Sequence, residues 1–188
     1  MIGVVMCGGE SKRMQRDKGL LLKNGQTWAA LAAQKLANFC PEFVFSINKK
    51  QLRHYSKLFN IHTFVFDNPI VPFKGPLLGV LSVHLQHPQQ DLLVLACDLP
   101  DIDLCILEKL LAASTEKNEA VCCIQNSGQI EPLVAIYKAT GLARIWHLIQ
   151  QNQWHKASML HVLSFLETEY LPVGENEEIY FKNYNYPE

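Results

Sequence analysis

Two adjacent glycines followed by a run of cations are the residues best suited to chemistry. They lie in Met6-Cys7-Gly8-Gly9-Glu10-Ser11-Lys12-Arg13-Met14-Gln15-Arg16-Asp17-Lys18. Gly8 and Gly9 lack a Cβ, so their backbone N–H groups can approach an anion closely. Successive N–H groups in such a turn form an anion-binding concavity. Lys12, Arg13 and Lys18 add point charge and fork geometry for phosphate oxygens. The stretch matches neither the dinucleotide pattern G-x-G-x-x-G nor the Walker loop G-x-x-x-x-G-K-[S/T]. Its plain alternative is a tight turn beside a solvated basic patch. The glycine pair together with the cations favours a polyphosphate site.

A phosphate site needs a counter-cation, and Ala96-Cys97-Asp98-Leu99-Pro100 offers a ligand for one. An aspartate at the end of an apolar run is costly unless paired or metal-bound. Mg²⁺ is held by one or two carboxylates plus substrate phosphates. Asp98 is therefore the expected metal ligand, with a turn or cap before Pro100 as its alternative. Asp101 and Asp103 read instead as N-cap and first-turn residues of a helix over Leu104–Ala113. Asn48 and Asp67 follow two further apolar runs and face the same crevice, unless they only make turns. In Gly75-Pro76-Leu77-Leu78-Gly79, Pro76 suits a first helical turn. Gly75 and Gly79 permit close approach by a flat ligand or by another backbone.

The elements that position these groups alternate along the chain. Strands are expected at Ile2–Met6, Glu42–Ile47, Thr63–Phe66, Leu92–Ala96, Ala120–Ile124, Pro132–Tyr137 and Glu169–Val173. Their continuous Val, Ile, Leu and Phe content fits buried strands of a mostly parallel sheet. Between them, Trp28, Leu31, Leu36 and Phe39 share a helical face, as do Leu78, Leu81 and Leu85. The same holds for Ile106, Leu107, Leu110 and Leu111, and for Leu142, Ile145, Leu148 and Ile149. Thr140 is placed to cap a helix starting at Gly141. The pattern predicts an α/β fold: a single-domain, Rossmann-like three-layer sandwich over residues 1–188. Ligands of open α/β sheets bind outside the carboxyl ends of the strands. The informative loops are thus those after Met6, Ile47, Phe66 and Ala96. Asn126–Gly128 and Gly174–Glu178 read as surface loops.

Composition narrows the partners. The 188 residues are 48% hydrophobic and 19% charged, as in a globular protein, and the net charge of −1 carries no footprint for nucleic acid. No apolar run approaches the roughly 20 residues of a membrane span, and no signal peptide is read, so a cytoplasmic protein is expected. The cysteines Cys7, Cys40, Cys97, Cys105, Cys122 and Cys123 form no C-x-x-C pair and sit mostly in apolar runs. They read as small hydrophobes rather than as disulfides or zinc ligands. His54, His84, His87, His147, His155 and His161 read as surface or packing residues, and His62 opens a strand with no partner in sequence.

The chain resembles the molybdenum cofactor guanylyltransferases, the protein-A component of molybdopterin guanine dinucleotide synthesis. The resemblance rests on residues 6–18, set against the signature L-A-G-G-x-S-x-R-M-G-x-D-K, and on Gly19-Leu20-Leu21 and Asn24-Gly25. It continues through Gly75-Pro76-Leu77-Leu78-Gly79, Cys97-Asp98-Leu99-Pro100, Glu131-Pro132-Leu133 and the closing Asn183-Tyr184-Asn185-Tyr186-Pro187-Glu188. The matches keep their order from the first strand to the last residue. The resemblance implies a nucleotidyltransferase that takes GTP and Mg²⁺ at the strand ends. The phosphate of molybdopterin-Mo would attack the α-phosphorus and release pyrophosphate. By matched position Cys7, Gly8, Gly9 and Ser11 cradle the nucleotide, Arg13 and Lys18 face the phosphates, and Asn48 and Asp67 contact the nucleotide. Gly75 and Gly79 line its site, Asp98 holds Mg²⁺, and Asn183 and Asn185 lie near the pterin. Molybdenum-cofactor delivery proteins and acceptor enzymes are the implied protein partners. Cys7, Gln15, Arg16, Asp101 and Tyr186 depart from the family pattern. The alternatives are a related transferase using CTP or another phosphorylated acceptor, or a non-catalytic nucleotide-binding protein.

Overall fold

The computed structural model describes residues 1–8, 17–182 and 184. In chain order its strands are β1 (Ile2–Met6), β2 (Leu22–Lys23), β3 (Gln26–Thr27), β4 (Phe43–Ile47), β5 (Phe64–Phe66), β6 (Leu92–Ala96), β7 (Ala120–Ile124), β8 (Ile130–Tyr137) and β9 (Thr168–Pro172). The helices are α1 (Trp28–Leu36), α2 (Leu52–Tyr55), α3 (Pro76–Gln86), α4 (Leu104–Ala113), α5 (Ala139–Gln150) and α6 (Met159–Phe165). Seven strands form one sheet in the order β5-β4-β1-β6-β8-β7-β9. Every neighbouring pair is parallel except those made by β8, which runs antiparallel to β6 and β7.

β1 lies at the centre of the parallel half, with Met6 level with Ser46 of β4 and Ala96 of β6. The alternation of side chains along the strands feeds two cores. Val5, Phe45, Leu93 and Leu95 pack with Ala29, Leu36, Ile106 and Leu107 of α1 and α4 on one face. Ile2, Val4, Leu92 and Val94 pack with Leu77, Leu81, Leu142 and Val162 of α3, α5 and α6 on the other. The sheet is thus buried on both sides, which is why its strands read as unbroken apolar runs.

The expected strands are all present, displaced by no more than two residues at their ends. Three elements were not anticipated from the sequence. α2 and α6 are only four and seven residues long, too short for a clear helical period. The β2–β3 hairpin is two residues a side and turns through Asn24 and Gly25, both at positive φ. Two such residues make the kind of turn that suits a two-residue hairpin.

Two caps and one loop differ from expectation. α5 begins at Ala139 with Lys138 at its N-cap, so Thr140 lies inside the first turn. The Lys138 N–H bonds to the Glu119 carbonyl, and the Asp91 carboxylate accepts from Ala139 N at 2.9 Å, which fixes the start earlier. Residues 175–181 form a 3-10 helix, closed by the Glu177 side chain accepting from Gly174 N at 2.9 Å. Asp103 caps α4 in place of Asp101, accepting from Cys105 N at 2.9 Å.

Candidate active site

The carboxyl ends of β1, β4 and β5 and the start of α3 enclose a cavity of about 660 Å³. Gly8, Asn48 and Asp67, from the loops after β1, β4 and β5, line it together with Gly75 and Gly79 of the α3 start. Its size suits a small-molecule ligand. Lys49, Lys50 and Lys74 also line it, giving it a cationic wall that the sequence reading did not assign. Their signal was present: Lys49 and Lys50 come directly after Asn48, and Lys74 directly before the Gly75-Pro76 helix start.

The two α3 glycines have different reasons. Gly75, at the N-cap, has φ +74° and open space where a Cβ would stand. That backbone conformation favours glycine. At Gly79 a Cβ would come within 2.7 Å of both Met6 Cε and Ser46 Oγ. Gly79 therefore lets α3 close onto β1 and β4. Burial pushes the Asp67 carboxyl above its usual range.

Lys18 and Asp98 meet beside the cavity rather than in its wall. Lys18 Nζ donates to Asp98 Oδ2 at 3.0 Å, and each side chain keeps 23% of its surface exposed. Glu131, at the start of β8, stands close to Asp98. Burial lifts its carboxyl pKa, the charge of Asp98 adds to the lift, and the side-chain amides of Gln129 and Gln125 oppose it. Among the described residues no group of three or more His, Cys, Asp or Glu side chains is arranged to hold a metal ion.

Asp101 is not a helix cap. Its carboxylate pairs with Lys23 of the β2–β3 hairpin and accepts a hydrogen bond from the Tyr184 hydroxyl. The Tyr184 ring in turn lies 5.9 Å from that of Trp28. The residue between Asn183 and Asn185 is thus tied close to the end of β6. Gly9, Ser11, Lys12, Arg13, Asn183 and Asn185 lie outside the described residues. Cys7 is buried, with its carbonyl accepting from the Gln51 side chain at 2.9 Å. Asp17, Gln51 and Tyr55, which received no role from sequence, form a hydrogen-bonded group behind the Lys18 turn.

A mostly parallel sheet that gathers a glycine, lysines and aspartates at one set of strand ends has the arrangement of the nucleotide-handling α/β proteins. The family described as "MobA-like NTP transferase domain" matches residues 3–164, and the chain belongs to it. It is 27% identical over 190 residues to a protein of Geobacillus sp. (strain WCH70) named "Probable molybdenum cofactor guanylyltransferase", covering 100% of this chain and 94% of that one. A protein of the same name from Methanocaldococcus jannaschii is 28% identical over 191 residues, covering 97% and 93%. The crystal structure of molybdopterin-guanine dinucleotide biosynthesis protein A from Archaeoglobus fulgidus shares the fold, with a TM-score of 0.75 at 23% identity over 100% of this chain and 93% of that one. Among the described residues no helix is long and apolar enough to cross a membrane.

Proposed function

We propose that the chain transfers GMP from GTP to the phosphate of molybdopterin-Mo, releasing pyrophosphate. The observation that carries the chemistry is the Lys18–Asp98 pair at the carboxyl ends of β1 and β6, beside a glycine-lined, lysine-walled cavity. The names of the full-length relatives support GTP and molybdopterin as the substrates.

In this reading the guanosine occupies the cavity among Gly8, Asn48, Asp67, Gly75 and Gly79, and the triphosphate extends toward Lys18. An oxygen of the molybdopterin phosphate forms a bond to the α-phosphorus, and the bond to the pyrophosphate oxygen breaks. The attacking phosphate is already an anion, so no strong base is needed. The protein positions the groups and neutralises charge. Lys18 neutralises the charge that builds on the leaving pyrophosphate. By their matched positions in the family signature, Gly8, Gly9, Ser11 and Arg13 are assigned to the phosphates. Asn183 and Asn185, on either side of Tyr184 in the sequence, are assigned to the acceptor by their matched positions.

The residues present fit Mg²⁺. This ion is held by one or two carboxylates plus substrate phosphates rather than by an all-protein cage, and Asp98 is a hard oxygen ligand at that place. Bound there, it would offset the phosphate charge that Asp98 would otherwise repel. We assign the protein to the cytoplasm, with molybdenum-cofactor delivery proteins and acceptor enzymes as its partners.

The Asp98→Asn variant tests this reading. Asn caps a turn about as well as Asp but lacks the charge. Turnover of GTP against Mg²⁺ concentration is expected to collapse, or to need far more Mg²⁺, in a protein that still folds. Overlapping curves for the variant and the wild type would remove Asp98 from the site.

A further inference from the structure

We propose that Gln51 is a positioning residue of the transfer reaction. It joins the turn after β1, the loop after β4 and the Lys18 turn, so that the nucleotide and phosphate contacts fall into one arrangement. The inference rests on the nucleotidyl-transfer reading above.

Gln51 comes after the Asn48-Lys49-Lys50 loop and is only 8% exposed. Its Nε2 donates to the Cys7 carbonyl at 2.9 Å and to Asp17 Oδ2 at 2.6 Å. Its Oε1 accepts from Asn48 N at 2.9 Å. Both amide protons and the carbonyl oxygen are thereby used, and each goes to a different segment of the site. The orientation is determined, because a flipped amide would set its oxygen against two oxygens and its NH₂ against an N–H donor.

The far end of the network reaches the core. Asp17 Oδ1 accepts from Gly19 N at 3.0 Å and from the Tyr55 hydroxyl at 3.1 Å. Tyr55 is fully buried, and its ring lies 5.8 Å from that of Phe59, 6.3 Å from that of Phe64 and 6.4 Å from that of Phe45. A rigid aromatic cluster thus fixes Asp17, and Asp17 fixes its neighbour Lys18. On the other side Gln51 holds the backbone of Asn48, whose Oδ1 accepts from Lys50 N at 3.0 Å, and so shapes the cavity wall. Gln51 touches neither substrate in this arrangement. It acts through Lys18 and Asn48.

The test uses the full chain and three variants, read by pyrophosphate release and by the stoichiometry of nucleotide binding. Gln51→Leu keeps the apolar bulk and removes all three hydrogen bonds. A small misplacement of a charge-neutralising group costs rate more than binding, so kcat is expected to fall about 10- to 100-fold while KM for the nucleotide moves less than about threefold. Gln51→Glu can still accept from Asn48 N but donates to neither Cys7 nor Asp17, and is expected to lose as much. Tyr55→Phe removes one hydroxyl that does not line the cavity and is expected to lower kcat at least threefold. Combined with Gln51→Leu it should cost little more than Gln51→Leu alone, because both act through Asp17.

A merely structural role predicts a lower melting temperature with kcat per binding-competent site unchanged, and that result overturns the proposal. So do independent, multiplying losses in the double variant. If Gln51→Leu fails to fold, Tyr55→Phe decides, and an unchanged kcat overturns the proposal. Wild-type protein that uses a donor other than GTP sinks only the donor assignment, and the ratios are then read with that donor. Wild-type protein that releases no pyrophosphate from any nucleoside triphosphate sinks the transfer reading and the Gln51 role with it.

Discussion

Lys18 Nζ lies 3.0 Å from Asp98 Oδ2, which joins the turn after β1 to the end of β6. The strands bring this about. β1 and β6 are parallel neighbours in register at Met6 and Ala96, so the loops leaving their carboxyl ends emerge side by side. Without nucleotide, lysine and aspartate neutralise each other. On the proposed reading, a bound metal nucleotide would give the lysine phosphate oxygens to face and the carboxylate a cation.

Lys18→Ala is therefore expected to weaken GTP binding and slow transfer together. Loss of one preorganised charge-stabilising group costs about 10²-fold in rate. Calorimetric affinity and steady-state turnover on the purified variant measure both. Unchanged constants would mean that Lys18 is only a surface lysine.

Gly19→Ala should destabilise the protein, because a Cβ there would collide with the Tyr55 hydroxyl. Tyr55 is fully buried and cannot swing away. Overpacking of this kind costs about 1–3 kcal/mol. The melting temperature should drop by about 2–4 °C per kcal/mol in a chain of this size. A melting temperature equal to that of the wild type would show that the Tyr55 ring can shift. Activity should fall as well, since Gly19 N is one of the donors that hold Asp17.

His84 sets an acid limit on stability. It lies in α3 at 3% exposure, its Nδ1 has no hydrogen-bond partner among the described residues, and burial pushes its pKa below the ordinary value of 6.5. The unfolded chain then binds a proton that the folded one does not, so stability rises with pH through this range. The contribution is complete above about pH 6.5 and is lost as the pH falls toward the depressed folded value. Urea midpoints measured from about pH 7 down to about pH 5 should decline in the wild type and decline less in His84→Leu. Parallel declines would acquit His84.

Much of this was legible in the residues. Buried strands announce themselves as unbroken Val, Ile and Leu runs, and the polar residue after each marks its carboxyl end. That logic placed Gly8, Asn48, Asp67 and Asp98 around one end of the sheet. Gly75 and Gly79 were seen but not separated. Only the folded chain shows that one needs a positive φ and the other needs space for Met6 and Ser46. Asp101 was misread because the sequence before a helix looks the same for a cap and for an ion pair made with Lys23 across the fold. Gln51 carried no signal at all. Its three partners lie at positions 7, 17 and 48, and nothing local marks a polar residue whose task is to hold other loops.

Nucleotidyl transfer is the reaction on which the roles of Lys18, Asp98 and Gln51 all depend, and transfer of GMP to a pterin phosphate is the form proposed for it. One assay decides it, supplying each of the four nucleoside triphosphates with Mg²⁺, with and without molybdopterin-Mo. It records pyrophosphate release together with the mass of the product. Release that depends on both GTP and the acceptor is expected, with a product heavier by one guanylyl group. Release from another triphosphate in preference to GTP, or no guanylylated product, would show that the chain does not catalyse this transfer.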